Sequence, residues 1–345
     1  MLTERQLLIL QTIIDNFVDT AHPIGSRALS KDETINLSSA TIRNVMADLE
    51  DMELLEKTHS SSGRIPSEKG YRYYVDHVIT PTIKKKELNL LKDKMNHEML
   101  EFEHVVQLSA EVLSELTNYT TIILGPNDVE ATLKQIQIIA LNETTAVAIL
   151  VTNTGHVEHK SFHIPPTISM ADFEKLINIL NERLINVPIM QLGHKLQTEI
   201  YELMKRHLQE HELLYQYMQS VLQYNDTTKL YVGGQSNMLI QPDFQDINQI
   251  YDVYTMLENE EQMIQLLSGH IDGLKVTIGQ ENQIDAIKQF SLITTPYTIS
   301  GNQIGTIALL GPTRMEYRKV LSLLQGLANE ITSLYDEDTG KDNTD

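Results

Sequence analysis

The sequence predicts a multidomain α/β (α+β) chain: an N-terminal winged helix-turn-helix, then an α/β domain interrupted by a mostly helical insertion. Three observations carry that expectation. Residues 1–80 run helix, helix, helix, strand, tip, strand. Two β-rich stretches, around 120–164 and 274–310, flank a helical segment from about 166 to 268. At 345 residues with 41% hydrophobic side chains, the chain is long and apolar enough for two or three packed domains and too apolar for disorder.

The first helix opens at Thr3, which with Gln6 has capping-box spacing. Leu7, Leu10, Ile14 and Phe17 follow at helical intervals, widened by Ile13 and Val18. His22-Pro23 ends it, because a residue before proline is pushed out of the α region. Gly25-Ser26 starts a short second helix through Leu29, and Ser38 or Ser39 caps a third to about Met52. Leu54–Lys57 reads as a strand, Ser60-Ser61-Ser62-Gly63 as a tip, Arg64-Ile65 as the return strand, and Ser67–Val78 as another helix.

Pro81 marks a boundary, and Lys84-Lys85-Lys86 reads as a solvated linker before a long helical stretch, Glu87–Asn118. Strands are expected at Thr120–Leu124, Leu133–Leu141, Thr145–Thr152 and Gly155–Ile164. Helices are expected at Met170–Leu184 and Gln197–Gln223. Further strands are read at Lys229–Val232, Leu274–Ile278, Gln289–Ser300 and Gln303–Leu310, the last two joined at Gly301-Asn302. A closing helix spans Thr313 to Leu334, and Asp336–Asp345 is an acidic, frayed tail.

The third helix points to DNA. Ile42, Val45, Met46 and Leu49 share one face, and at about 100° per residue Ala40, Asn44 and Ala47 lie opposite, flanked by Thr41 and Arg43. That outer face is small and polar near its start and acidic at Asp48, Glu50 and Asp51, so its N-terminal half should dock. Arg43 suits guanine and Asn44 adenine in the major groove. Ser26, Arg27 and Ser39, at the starts of the second and third helices, are further candidate contacts.

Net charge is −20 overall and still −4 over residues 1–80, which hold eight Lys or Arg against twelve Asp or Glu. Such acidity argues against a general nucleic-acid or membrane-surface coat. Residues 57–72 are the exception, with Lys57, Arg64, Lys69 and Arg72 against Glu68. Arg64, Lys69 and Arg72 are therefore expected to hold the phosphate backbone or minor groove. With so few cations one domain should bind weakly, which implies a dimer on an inverted-repeat site.

Several motifs resemble the HrcA family of heat-inducible transcription repressors. They are Gly25-Ser26-Arg27-Ala28-Leu29, Leu37 through Glu50, Ser62 through Ser67, and Gly70-Tyr71-Arg72-Tyr73-Tyr74-Val75. Farther along come Tyr231 through Asn237, Ile278-Gly279-Gln280-Glu281-Asn282 and Ile307 through Tyr317. The resemblance covers nearly the whole chain, with little motif between about Pro166 and Tyr224. It implies a dimeric repressor that binds double-stranded DNA at an inverted repeat, the CIRCE operator, upstream of chaperone operons, with activity sustained by the GroEL chaperonin. It also implies a GAF-like domain and an inserted dimerising domain. The boundaries are then 1–80 for the winged helix-turn-helix, 81–118 for linker and long helix, 119–165 with 270–335 for the GAF-like domain, 166–269 for the insertion, and 336–345 for the tail. Tyr215, Tyr217, Met218 and Tyr224 are the expected dimer contacts, since aromatics and Met favour interface cores. The alternative is a ligand-sensing regulator controlled through its GAF-like domain.

Other chemistry finds little support. The absence of Cys excludes disulfides, thiolate metal sites and a Cys nucleophile, and fits a reducing cytoplasm. His156 and His159 would point to opposite faces of a strand. His207 and His211 have helical i, i+4 spacing but no evident third ligand. Gly233-Gly234 lacks the Gly-Lys-Ser/Thr of a phosphate loop. No enzyme, cofactor, metal site, signal peptide or membrane span is expected.

Overall fold

A computed structural model describes residues 2–57, 63–79, 102–125, 131–142, 144–153, 157–164, 170–208, 210–222, 229–241, 243, 246–268, 273–299 and 302–336. The Ser60-Ser61-Ser62 tip, the Lys84–Lys86 run, the long helix before residue 102, His156, Tyr224 and the tail beyond 336 lie outside them. The chain is of mixed α/β class and divides into two compact units. One takes residues from Met1–Met99, Val105–Leu124 and Leu230–Asp345; the other takes Leu100–His104 and Gly125–Lys229.

The N-terminal part of the first unit follows its local signals. Helix α1 (Glu4–Thr20) carries the capping box: Gln6 N–H donates to Thr3 Oγ1 at 3.3 Å and Thr3 N–H to Gln6 Oε1 at 3.0 Å. It buries Ile9, Leu10, Ile13 and Ile14 and ends at Thr20, where left-handed Ala21 closes the last turn. Helices α2 (Ser26–Leu29) and α3 (Ser39–Asp51) follow, α3 burying Ile42, Met46 and Leu49. Strands β1 (Leu55–Lys57) and β2 (Arg64–Pro66) pair antiparallel, with Leu55 opposite Pro66 and Lys57 opposite Arg64. Ile24 bridges to Arg64 and ties the pair to the loop before α2. Helix α4 (Glu68–His77) is capped by Ser67, whose Oγ accepts from Gly70 N–H at 3.0 Å and donates to Glu53 O at 2.6 Å. A Cβ on Gly70 would stand 2.2 Å from Leu54 O, so the α4–β1 approach requires glycine.

Helix α5 (Phe102–Thr117) leads into β3 (Thr120–Leu124), every residue of which is buried. The second unit then forms its own sheet from β4 (Leu133–Asn142), β5 (Thr145–Thr152) and β6 (Val157–His163), ordered β4-β5-β6 and antiparallel. Helices α6 (Met170–Leu184), α7 (Ile189–Lys195), α8 (Tyr201–His207) and α9 (His211–Leu222) complete it, with one π-helical turn at Leu196–Ile200. Its core joins Ile136, Ala148 and Leu150 of the sheet to Leu176, Leu180, Leu196, Met204, Leu214 and Met218.

The chain returns to the first unit with β7 (Leu230–Gly233), α10 (Asn237–Ile240), α11 (Ile247–Glu258), α12 (Glu260–Leu267), β8 (Lys275–Ile278), β9 (Phe290–Ile299), β10 (Asn302–Pro312) and α13 (Tyr317–Asp336). The five-stranded antiparallel sheet is ordered β7-β3-β10-β9-β8. Ile122, Leu124, Phe290, Leu292, Ala308 and Leu310 pack against Met238, Val253, Met256, Met263 and Leu267. Helix α13 packs on β9.

Three expectations are corrected. Strands β4–β6 pair only with one another, and α10–α12 pack on the larger sheet, so the interrupted sheet domain is not 119–165 with 270–335, and the insertion is not 166–269. The division falls near residues 125 and 229. The reason lies in burial: β5 alternates, hiding Ala146, Ala148 and Leu150 on one face only, whereas β3 is covered on both. The helix expected over Gln197–Gln223 is broken at Leu208, whose extended backbone (φ −124°, ψ 137°) buries its own side chain. The last helix begins at Tyr317, four residues after Thr313.

Candidate nucleic-acid interface

Ser38 starts α3 by accepting Thr41 N–H on its Oγ at 3.2 Å, with Thr41 Oγ1 2.9 Å away. The cap sets the helix phase, and the buried Ile42–Met46–Leu49 row turns the opposite side outward. Ala40, Arg43, Asn44, Ala47 and Asp48 are all exposed. The side chains of Arg43 and Asn44 have no hydrogen bond or ion pair among the described residues, and the same is true of the Arg27 guanidinium, exposed at α2. Ser26 differs: it is buried, and its Oγ lies 3.1 Å from that of Ser39. Those two hydroxyls join α2 to α3 and fix the angle at which α3 is presented.

The remaining cations are occupied by carboxylates. Arg64 Nε and Nη2 reach Glu50 Oε2 at 2.8 and 2.7 Å, while Lys57 Nζ reaches Glu50 Oε1 at 2.7 Å. The Lys57 hydrogen bond, then those and the charge of Arg64, hold the Glu50 carboxyl below the usual carboxylate range against a desolvation that pushes it up. Lys69 Nζ is 2.8 Å from Glu53 Oε2. The Lys69 hydrogen bond and charge hold that carboxyl low as well. Arg72 donates from Nε to Glu281 Oε1 at 2.8 Å, from Nη2 to Glu281 Oε2 and to Val276 O at 2.7 Å, and from Nη1 to Asp76 at 3.1 Å. Of the nominated cations, Arg27 and Arg43 are thus presented outward without a partner among the described residues, while Arg64, Lys69 and Arg72 are engaged. Ser26 is not at the surface.

Glu50 and Glu281 were not singled out from sequence. In the sequence Glu50 belongs to the acidic end of α3, which repels phosphate. The available signal was the hairpin itself, since β1 and β2 return toward the end of α3 with two cations needing a partner. No local signal marks Glu281, which is 209 residues from Arg72.

Of the expected dimer contacts, Met218 is corrected: it is fully buried in the core of its own unit. Tyr215 and Tyr217 are half-buried against that core, Tyr215 through an edge contact with Tyr201 and Tyr217 through Phe162. A π turn and a break put the apolar sides of α7–α9 inward, which uses up these side chains locally. His207 and His211 lie on different helices, and His211 packs on Tyr201. Among the described residues, no group of three His, Asp or Glu could hold a metal ion, and no helix is long and apolar enough to cross a membrane.

The family model "HrcA protein C terminal domain" matches residues 103–321. A heat-inducible transcription repressor HrcA of Oceanobacillus iheyensis is 57% identical over 336 residues, 97% of this chain and 98% of that one. The chain belongs to the HrcA family. A solved structure described as a hypothetical protein at 2.2 Å resolution matches with a TM-score of 0.73 at 19% identity, covering 98% of this chain and 99% of that one, and carries the fold alone. HrcA proteins are repressors of heat-inducible transcription, not enzymes.

Proposed function

We propose that residues 1–80 form a winged helix-turn-helix that reads DNA with the N-terminal half of α3, and that the chain represses chaperone operons from a CIRCE-type inverted repeat in the cytoplasm. The observation that carries this is the free Arg43–Asn44 pair on an exposed face beside small Ala40 and Ala47, opposite the core row. A small-residue face lets a helix approach base edges closely, and the two side chains suit guanine and adenine. Arg27 adds a backbone contact, and the five-stranded sheet with its helices is the GAF-like domain. Modulation by the GroEL chaperonin is part of the same reading and rests on the family resemblance.

The reading includes a homodimer, since two weakly charged heads on one inverted repeat bind jointly where one does not. Since Met218 lies in the core, the dimerising surface in this reading is the open face of the β4–β6 sheet. Ile139 and Val157 are 46% and 45% exposed there, with Val147, Ile149 and Val151 half-buried between them. This face lies opposite the one that buries Ala146, Ala148 and Leu150. A second copy would cover it by an isologous contact.

The test is fluorescence anisotropy of a labelled inverted-repeat duplex against a scrambled one at several salt concentrations, with and without GroEL. Operator-selective binding, strengthened by GroEL, is the expected outcome. Equal affinity for both duplexes under every condition refutes the operator assignment.

A further inference from the structure

Every cation between Lys57 and Arg72 is covered by a carboxylate of the same chain. Glu50 and Glu53, which hold Lys57, Arg64 and Lys69, belong to the N-terminal segment itself. Arg72, besides its bond to Asp76 of α4, is the one also held from elsewhere, by the 3-10 turn Gly279–Glu281 that follows β8.

That turn is shaped to receive α4. Gly279 has φ +55°, and a Cβ there would stand 1.9 Å from Glu68 Oε1. Gln280 N–H donates to Glu68 Oε2 at 3.1 Å. Glu281 is held in place for Arg72, because its Oε2 also accepts Ile278 N–H at 2.8 Å. Asn282 braces the turn from behind: Nδ2 reaches the carbonyls of Gly279, Ile287 and Phe290 at 3.0, 3.0 and 2.8 Å, and Oδ1 accepts from Thr277 at 2.7 Å. Burial pushes the Glu281 carboxyl up, but the bonds from Arg72 and Ile278 hold it below the usual carboxylate range.

We propose that the Gly279–Asn282 turn is a latch that withholds Arg72 from DNA phosphate, so that operator binding and the turn compete for one guanidinium. A planar guanidinium grips a carboxylate and a phosphate with the same fork of donors, so it serves one at a time. The latch rests on the DNA-binding reading above. Other contacts at the junction do not involve Glu281: Arg314 bonds Val18 O at 2.9 Å and Asp243 at 2.7 Å, and the rings of Tyr71 and Tyr317 lie 5.8 Å apart. Glu281→Gln therefore removes the carboxylate that competes with phosphate for the Arg72 fork, leaves the bonds to Asp76 and Val276 O, and does not detach the segment.

The experiment measures the native protein, Glu281→Gln, Gly279→Ala, Arg72→Ala and the Arg72→Ala/Glu281→Gln pair on operator and scrambled duplexes across salt. Glu281→Gln should tighten binding to both duplexes roughly 3–10-fold near 0.1 M salt and steepen the log–log salt slope by about one, the value of one extra phosphate contact. Gly279→Ala, which displaces Glu68 from the other side of the turn, should act in the same direction. The double variant should bind no better than Arg72→Ala, which separates the latch from the general effect of removing a negative charge. The latch is refuted if the native protein binds and Glu281→Gln binds no tighter, or if the gain survives without Arg72. If neither the native protein nor Glu281→Gln binds any duplex, the DNA-binding reading falls and the latch with it.

Discussion

Glu50 Oε2 accepts from two nitrogens of Arg64, at 2.8 and 2.7 Å, while its other oxygen holds Lys57 at 2.7 Å. One carboxylate at the end of α3 thus fastens both strands of the hairpin to the helix proposed to read DNA. The position of the hairpin relative to that helix depends on this contact.

Glu50→Gln should lower the urea midpoint of the native protein, and the loss should depend on pH. A carboxyl depressed in the folded state contributes stability above its unfolded pKa, about 4.3 for Glu, and loses it as pH falls through the folded value. The gap between native protein and variant should therefore be full at pH 7 and close below about pH 4. A gap that stays constant down to acid pH would assign the loss to packing rather than charge.

Arg43→Ala should leave thermal stability unchanged, because the side chain is exposed and touches nothing described. It should cost about 1–3 kcal/mol on the operator and relax specificity at one base pair. Equal losses on operator and random DNA would remove its base-reading role.

Arg64→Ala should behave differently, losing stability as well as affinity, because it leaves Glu50 without its fork. Binding should weaken evenly across sequences because the hairpin loses its anchor on α3, with little change in salt slope, since the fork held by Glu50 is not free for phosphate. Calorimetry and anisotropy on the same sample distinguish the two arginines, and an Arg64→Ala protein as stable as the native one would deny the hairpin contact its structural weight.

Asn282→Ala should destabilise by roughly 2–3 kcal/mol, since the buried amide serves three backbone carbonyls and one hydroxyl. Asn282→Asp should not rescue it, because a carboxylate cannot donate to those carbonyls. Denaturant unfolding checks both, and full rescue by Asp would show that the Thr277 contact alone matters.

Met218→Ala and Ile139→Glu should separate core from interface. The first opens a cavity in the second unit and should cost about 2–5 kcal/mol of stability at unchanged stoichiometry. The second places a charge on the open sheet face and should shift sedimentation from dimer to monomer with the fold intact. A dimer that survives Ile139→Glu moves the interface off this face.

Local order is largely legible in the sequence. The Thr3–Gln6 box, the Ser38 cap, the Ile42–Met46–Leu49 row and the outward Arg43–Asn44 face all follow from interactions within one or two helical turns. The resemblance to HrcA proteins was equally readable, because its motifs are short and contiguous. The misassigned pieces share the opposite property. Strands β4–β6 look like those of the larger sheet, and α8 and α9 look like one helix, until their neighbours are known.

The sequence by itself determined most of the elements outside the 197–267 stretch, their amphipathic faces and the family. Tertiary structure decided which sheet each strand joined, that Met218 was spent inside its own unit, and that Arg64 and Arg72 met Glu50 and Glu281. Periodicity and capping arise from interactions over three or four residues and are written in the chain. Strand partners and ion pairs are selected by which surfaces meet, and Arg72 meets a carboxylate 209 residues away only because α4 packs against the turn after β8.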